Sequence, residues 1–130
     1  MNPIHAISSA YSKLISYIDK NEDKLATKYL KEAAINGSIE AQNDYATKML
    51  EEGKTFEAVA WLLEASSMAS LSADKTLYTL YLNGSKDCVV RQRYEKALLY
   101  AERIRDAGDP KGHAMVEEVK QRISKSQQHK

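Results

Sequence analysis

The sequence predicts an all-α protein, and three observations support this prediction. The chain of 130 residues has only two prolines and five glycines, whereas Ala, Leu, Lys and Glu, which favour helices, are abundant. Apolar residues recur at helical spacing, and no segment alternates as a half-buried strand does. One pattern of small and aromatic residues also occurs three times, which indicates a repeat architecture.

The three copies of this pattern share an alanine, an aromatic residue three positions later, and then small or aliphatic residues at intervals of four. They begin at Ala26, Ala58 and Ala97, so the intervals are 32 and 39 residues. Their members are Ala26, Tyr29, Ala33, Gly37 and Ala41, then Ala58, Trp61, Ala65, Ala69 and Ala73, and finally Ala97, Tyr100, Ile104, Gly108 and Gly112. The longer interval places seven additional residues in a loop around Cys88.

Two turn signals divide the first fifty residues into three predicted helices. Apolar residues follow one helical face up to Ile18, and the polar segment Asp19–Asp23 then interrupts the stripe, with Asn21 as a cap for the next helix. The second signal is Gly37, which favours a left-handed C-cap, followed by Ser38 as the cap of the third helix.

The remaining predicted helices are separated by similar turns and by one longer loop. Ser70 is the predicted cap of the fifth helix, which ends before Gly84, and residues 85–92 form the loop. Asp109 followed by Pro110 is a start signal for the last helix, because aspartate caps helices and proline fits the first helical position. The seven predicted helices cover about residues 4–18, 22–35, 38–50, 56–67, 71–83, 93–104 and 110–123.

The chain is long enough to bury one core, so we expect a single helical domain over residues 1–123. The segment that follows, residues 124–130, reads Ser-Lys-Ser-Gln-Gln-His-Lys. It has no apolar side chain to bury, and we therefore expect a disordered polar tail.

Charge and composition favour a cytoplasmic protein without membrane contact. The net charge is +1, which gives no strong overall electrostatic field. The charge is uneven, since residues 1–84 hold 8 basic and 11 acidic groups, whereas residues 85–130 hold 11 basic and 7 acidic groups. The longest apolar run, Ala58–Leu63, is far too short to span a bilayer. Cys88 is the single cysteine, and the first residues lack the apolar core of a signal peptide.

Two segments resemble the repeats of the SEL-type family, a relative of the tetratricopeptide family. The closer is Tyr94-Glu95-Lys96-Ala97-Leu98-Leu99-Tyr100, and the less complete is Phe56-Glu57-Ala58-Val59-Ala60-Trp61. The order Ala41, Tyr45-Ala46, Met49, Gly53, Ala58, Leu62, Ala65 is also similar to the tetratricopeptide consensus. The resemblance covers roughly residues 22–119, with departures at Ser66 and Ile104-Arg105. It implies a right-handed α–α superhelix of about seven antiparallel helices.

The resemblance also implies a binding groove, because the first helix of each pair lines the concave face in such solenoids. The groove candidates for partner binding are Ser9, Ser12, Ser16, Tyr17, Asn43, Thr47, Lys75, Tyr78 and Thr79. Tyr17 and Tyr78 lie off the consensus stripe and are expected to be exposed anchors, whereas Tyr29, Tyr45, Tyr81 and Tyr100 are expected in the core. Further candidates in the loop are Lys86, Asp87, Cys88 and Arg91.

The sequence lacks the residue constellations that catalysis or metal binding requires. His5, His113 and His129 have no ligand spacing, and Cys88 has no neighbouring His or Cys. No Gly-rich phosphate loop or nucleophile elbow is present. We therefore expect a protein that is not an enzyme and that uses no cofactor or metal.

The expected function is that of a non-catalytic protein-interaction module with a protein partner. A narrower alternative is a bacterial immunity protein that neutralises a cognate toxin, with the acidic segment 1–84 facing a basic toxin. A third alternative is nucleic-acid contact through the basic C-terminal third, where Lys86, Arg91, Arg93, Lys96, Arg103 and Arg105 surround Tyr94 and Tyr100. Acidic neighbours dilute that stretch, so a solvated face is the simpler interpretation. The sequence leaves the oligomeric state open.

Overall fold

A computed structural model of the chain describes the backbone of residues 3–128 and the side chains of residues 18–128. Within this part the chain forms six helices and no strand. They are α1 (Pro3–Ile35), α2 (Ile39–Glu51), α3 (Thr55–Ser67), α4 (Leu71–Asn83), α5 (Tyr94–Asp106) and α6 (Gly112–Gln128). The predicted all-α class is confirmed.

One long helix takes the place of the first two predicted helices. α1 continues through the polar segment Asp19–Asp23, so the predicted break there is wrong and the described residues form six helices rather than seven. The segment has no Gly or Pro, and charged side chains are compatible with a helix when they face water. Asp23 is also held within the fold, because its carboxylate pairs with Lys48 of α2 at 2.6 Å.

Each helix packs mainly on the next helix along the chain, from α1 on α2 to α5 on α6. Small residues lie at the contacts and allow the helix axes to approach closely. The completely buried alanines include Ala46, Ala58, Ala65, Ala73, Ala97 and Ala101, and the large side chains that fill the core include Met49, Leu62, Leu77, Ile104 and Val119.

The turns after α1, α2, α3 and α5 share one backbone geometry. In each turn one residue has a positive φ, which is 96° at Gly37, 77° at Gly53, 65° at Ala69 and 90° at Gly108. The N–H groups of this residue and of the next one bond back to carbonyls of the last helical turn, as in a Schellman motif. Three of these four turns lie at equivalent positions of the sequence repeat, and the fourth, at Gly53, connects α2 to α3.

The predicted cap residues follow these turns, and one of them acts differently. The Ser38 and Ser70 hydroxyls each accept a bond of 3.2 Å from the N–H three residues on. The Asp109 carboxylate instead accepts from the Lys111 N–H at 2.8 Å, and its carbonyl accepts from Gly112. Residues 109–112 therefore form a turn, and α6 begins at Gly112 rather than at Pro110.

Helix α6 begins at a buried glycine and extends further towards the C-terminus than the sequence predicts. Gly112 is buried against α5, where an added Cβ would lie 2.3 Å from the Arg105 Cα atom. At the other end α6 continues to Gln128, so residues 124–128 are helical and exposed where a disordered tail was expected. These residues include no Gly or Pro that would end the helix.

Side chains in the first copy of the repeat are more exposed to solvent than the equivalent side chains in the third copy. Tyr29 is 59% exposed, whereas its equivalent Tyr100 is 6% exposed. Ala26 is exposed too, while Ala58 and Ala97 are completely buried. The expectation that Tyr29 belongs to the core is therefore wrong. The physical reason is the unbroken α1, which leaves Tyr29 without a preceding helix like those that contact Trp61 and Tyr100.

Candidate functional site

The predicted groove anchor Tyr78 is not exposed, so that prediction is wrong. Tyr78 is 4% exposed and belongs to the core cluster formed with α5 and α6. Its hydroxyl donates to Glu118 Oε2 at 3.4 Å, and burial, together with the Glu118 charge, raises the pKa of Tyr78. A face assignment that is off by one helical position accounts for the error, since the adjacent Thr79 is exposed.

Two other groove candidates, Asn43 and Lys75, are used for contacts between helices. Asn43 Nδ2 donates to Ser70 Oγ at 2.6 Å, and Lys75 Nζ lies 2.8 Å from Asp109 Oδ2. The Lys75 ammonium and the Lys111 N–H lower the pKa of Asp109. These contacts join each repeat to the next one, which leaves both side chains less available to a partner.

The remaining groove candidates give no anchor within the described residues. Thr47 and Thr79 are exposed, and their hydroxyls donate to the backbone carbonyls four residues earlier. The side chains of Ser9, Ser12, Ser16 and Tyr17 lie outside the described part of the chain. Their roles stay predictions.

The loop between α4 and α5 has a defined structure, and Asp87 is at its centre. The Asp87 carboxylate accepts bonds from the hydroxyls of Ser85 and Thr55, both at 2.6 Å, and from the Val89 N–H at 3.2 Å. These donors lower the pKa of Asp87, Ser85 having the largest effect. Because Thr55 is the first residue of α3, the Asp87 carboxylate fastens the loop to that helix.

Further bonds fix the second half of the loop to α4. The Val90 carbonyl accepts from the Ser85 N–H at 2.8 Å, and Val90 itself is buried. The Gln92 side chain donates to the Leu82 carbonyl at 2.7 Å, and the Arg93 N–H donates to the Tyr81 carbonyl at 2.8 Å. With its backbone held on both sides, the loop presents Lys86, Cys88, Val89 and Arg91 to solvent.

This loop and α3 enclose a cleft of about 340 Å³, here called the loop cleft. Its lining residues are Phe56, Val59, Tyr81, Val89, Val90, Arg91 and Arg93. Phe56 is 81% exposed and Val89 is 51% exposed. The loop cleft therefore combines exposed apolar side chains from two separate elements with two guanidinium groups.

Tyr81, which lines the loop cleft, is part of an aromatic stack. The rings of Tyr81 and Tyr100 are parallel with their centroids 5.9 Å apart, and Lys96 Nζ lies 5.6 Å from the centre of the Tyr81 ring. Such contacts hold the Tyr81 ring in place. Tyr81 is thus fixed by α5 on the side of the loop cleft that α4 forms.

Some side chains of the predicted basic stretch form contacts within the chain. Arg103 donates to the buried Asp74 carboxylate at 3.3 Å and to the Ser66 carbonyl at 2.8 Å. Arg105 pairs with its neighbour Asp106 at 3.0 Å. Together with Lys96 over Tyr81, three of the six basic residues thus contact other groups of the same chain. Lys86, Arg91 and Arg93 are exposed on the loop.

The described residues include neither a cluster of metal ligands nor a membrane-spanning helix. Within them, no group of three or more His, Cys, Asp or Glu side chains is placed to hold a metal ion. In the same part of the chain, every helix is too short or too polar to cross a bilayer. Cys88 is a free, exposed thiol, and its φ of 63° belongs to the tight turn of the loop.

Comparisons with known proteins give no relative for this chain. No family model matches the sequence, and neither a curated protein nor a solved structure is significantly similar to it.

Proposed function

We propose that this chain is a non-catalytic protein-interaction module that binds a segment of a partner protein in the loop cleft. The observation that supports this proposal best is the placement of Phe56 and Val89. Two large apolar side chains, 81% and 51% exposed, border the same cleft although they come from different elements. Exposed apolar groups gathered around a concave site are typical of binding surfaces.

The charge of the loop cleft suggests the chemistry of the bound segment. Arg91 and Arg93 line it and are exposed, and neither forms an ion pair with another described side chain. Guanidinium groups bind carboxylates through paired hydrogen bonds. The segment that fits is one with an apolar side chain for the Phe56 and Tyr81 surfaces and with Asp or Glu beside it.

The helix arrangement is consistent with a role in binding. We infer that the consecutive packing of α2 to α6, with its repeated turns, belongs to a short α-solenoid of the SEL or tetratricopeptide type. Such solenoids are scaffolds that present surfaces to partners. In this chain the additional residues of the second interval build the loop cleft, so the departure from the repeat would supply the specificity.

A peptide selection can test the proposal while the partner is still unidentified. The folded protein is used to select binders from a random peptide library, and the affinities of the selected peptides are measured by fluorescence anisotropy. We expect sequences with an apolar residue next to Asp or Glu. Phe56→Ala and Arg91→Ala should each weaken their binding about tenfold or more.

The matched control is Leu99→Ala, because Leu99 is also exposed, at 53%, but lies on α5 outside the loop cleft. It should leave affinity unchanged. If the selected peptides bind Phe56→Ala as well as the unmodified protein, the loop cleft is not the site. A salt-sensitive affinity for single-stranded nucleic acid that depends on Arg91 and Arg93 would favour the nucleic-acid alternative instead.

The immunity-protein hypothesis is a second candidate that shares Phe56 with the first but does not use Arg91 or Arg93. It identifies the partner as a toxin, and the acidic segment 1–84 would face that toxin. A gene for a secreted toxin next to the gene of this chain, and protection of cells by co-expression, would support it. Protection that is lost in Phe56→Ala would place the toxin on the loop cleft.

A further inference from the structure

Helix α1 has a broad apolar face, and only part of it is covered by another described helix. Leu30, Ala33 and Ala34 pack against the core that α2 helps to form. On the adjoining part of this face, Ile18, Leu25 and Tyr29 are 40%, 47% and 59% exposed. At 100° per residue these three side chains lie within about 40° of one another. They form one stripe, here called the exposed stripe of α1.

The internal repeat indicates what kind of surface covers such a stripe. In the second and third copies, the alanines equivalent to Ala26 are completely buried. The aromatic residues equivalent to Tyr29 each contact a tyrosine of the preceding helix. Trp61 contacts Tyr45 and Tyr100 contacts Tyr81, and the ring centroids are 5.9 Å apart in both pairs. The covering element in each case is a helix of 13 residues, α2 or α4. The exposed stripe of α1 therefore fits an amphipathic helix of this length.

Residues 4–18 have the composition and the length of that missing helix. Their apolar residues Ile4, Ile7, Tyr11, Leu14 and Ile15 continue the helical spacing of Ile18 in the sequence. This segment, however, belongs to the same unbroken helix as the stripe. Tyr11 is roughly 27 Å from Tyr29 along the axis at 1.5 Å per residue. The segment cannot cover the stripe of its own chain while α1 is continuous.

We propose that two copies of this chain form a dimer in which their α1 helices pair antiparallel, residues 4–18 of each copy covering the exposed stripe of the other. The pairing is reciprocal about a two-fold axis near residue 20, as in an isologous, domain-swapped dimer. An α1 of 33 residues is about 50 Å long, so both halves of the helix contribute to the contact.

The charges along α1 are compatible with an antiparallel arrangement and oppose a parallel one. At 100° per residue Glu32 lies within about 40° of Ile18, so it borders the exposed stripe, whereas residues 4–18 hold one charged side chain, Lys13. An antiparallel pair about residue 20 places Glu32 opposite residue 8 of the nearly uncharged half. A parallel pair would place each Glu32 beside its own copy, and like charges in contact are unfavourable.

Molecular mass in solution tests the proposal. Size-exclusion chromatography with light scattering over a wide range of concentrations should give the mass of two chains for the unmodified protein. Leu25→Glu and Tyr29→Lys each place a charge in the pairing surface, and each should raise the dissociation constant at least about tenfold. The matched control is Lys24→Glu, because Lys24 lies next to the stripe but points away from it. It should stay dimeric.

A second variant tests the continuity of α1. Asn21→Pro interrupts the helix at its middle, so residues 4–18 can fold back on their own chain. Circular dichroism establishes that each variant is folded, and Asn21→Pro should then have the mass of one chain. The proposal is overturned if the unmodified protein is monomeric at all concentrations, or if Leu25→Glu and Tyr29→Lys both remain dimeric.

Discussion

The Asn43 amide donates a hydrogen bond of 2.6 Å to the hydroxyl of Ser70, the residue that caps α4. The same relationship recurs one repeat later. Lys75 is the equivalent of Asn43, because it follows Ser70 by five residues as Asn43 follows Ser38. Its ammonium lies 2.8 Å from the carboxylate of Asp109, in the turn that precedes α6. One position of each repeat thus contacts the start of the next repeat, first through a neutral pair and then through an ionic pair. These contacts define how consecutive repeats are aligned.

The contact between Asn43 and Ser70 should contribute measurably to stability. Asn43→Ala removes a half-buried hydrogen bond between two repeats, and we expect the free energy of unfolding in urea to fall by about 1 kcal/mol. The control is Thr47→Ala, one turn further along α2, where the exposed hydroxyl bonds only to its own helix. Its effect should be within about 0.5 kcal/mol. Equal effects of the two substitutions would show that the inter-repeat bond contributes nothing.

Ala69 occupies a backbone conformation that favours glycine. Its φ is 65°, and the equivalent turns have Gly37 and Gly108. An L-residue with a Cβ atom is strained in the left-handed region by about 1–2 kcal/mol. Ala69→Gly should therefore raise the free energy of unfolding by about 1 kcal/mol, as measured by chemical denaturation. In Ala60→Gly, an exposed site within α3, the same chemical change should instead destabilise by about 1 kcal/mol.

Gly112 is required for a different reason, which is close approach of two helices. An added Cβ would lie 2.3 Å from Arg105 Cα and 2.6 Å from its backbone nitrogen, and backbone atoms cannot move aside easily. Gly112→Ala should separate α5 and α6 and lower stability by about 1–3 kcal/mol. Gly108→Ala is the comparison, since its Cβ would meet nothing within 4 Å and only the positive φ opposes it. If Gly112→Ala is the milder change in thermal unfolding, α5 and α6 can separate at little cost and close approach does not require this glycine.

The parts of the fold that the sequence predicted correctly depend on local chemistry. The turn at Gly37 and the caps at Ser38 and Ser70 each involve residues within one helical turn of each other, so the signal is contained in a few letters. The continuity of α1 was not predictable in this way. Charged residues at Asp19–Asp23 are compatible with both a helix and a loop, and packing elsewhere decides between them.

The candidate site was located only in part from the sequence. The interrupted repeat period indicates the loop at residues 85–92, but the repeat-like segment that begins at Phe56 gives no sign that Phe56 borders this loop. The bond from Thr55 to Asp87, which joins residues 32 positions apart, brings the start of α3 to the loop. Such a non-local contact leaves no periodic signal. Tyr78 shows the converse limit, because a small rotation of a helical face exchanges buried and exposed positions.

The last prediction concerns the pH dependence of the loop. Hydrogen bonds from Ser85, Thr55 and the Val89 N–H lower the pKa of Asp87 in the folded protein. A carboxyl group whose pKa is lowered by folding stabilises the folded form above its unfolded pKa, about 3.9 for Asp, and loses this effect as the pH falls through its folded pKa. The loop should therefore be ordered at neutral pH and should loosen only below about pH 4.

The amide signal of Val89 in a nitrogen–proton NMR spectrum reports on this titration, because its N–H bonds directly to the Asp87 carboxylate at 3.2 Å. Its midpoint should lie below the ordinary Asp value of about 3.9. Asp87→Asn has no charge at any pH, and its NH2 group replaces one of the two carboxylate oxygens, so either the Ser85 or the Thr55 hydroxyl loses its acceptor. This substitution should abolish the titration of the Val89 amide signal and loosen the loop at neutral pH. The affinity for the peptides selected on the loop cleft should fall as a result. A Val89 midpoint at or above the ordinary Asp value would mean that the carboxylate does not hold the loop in solution.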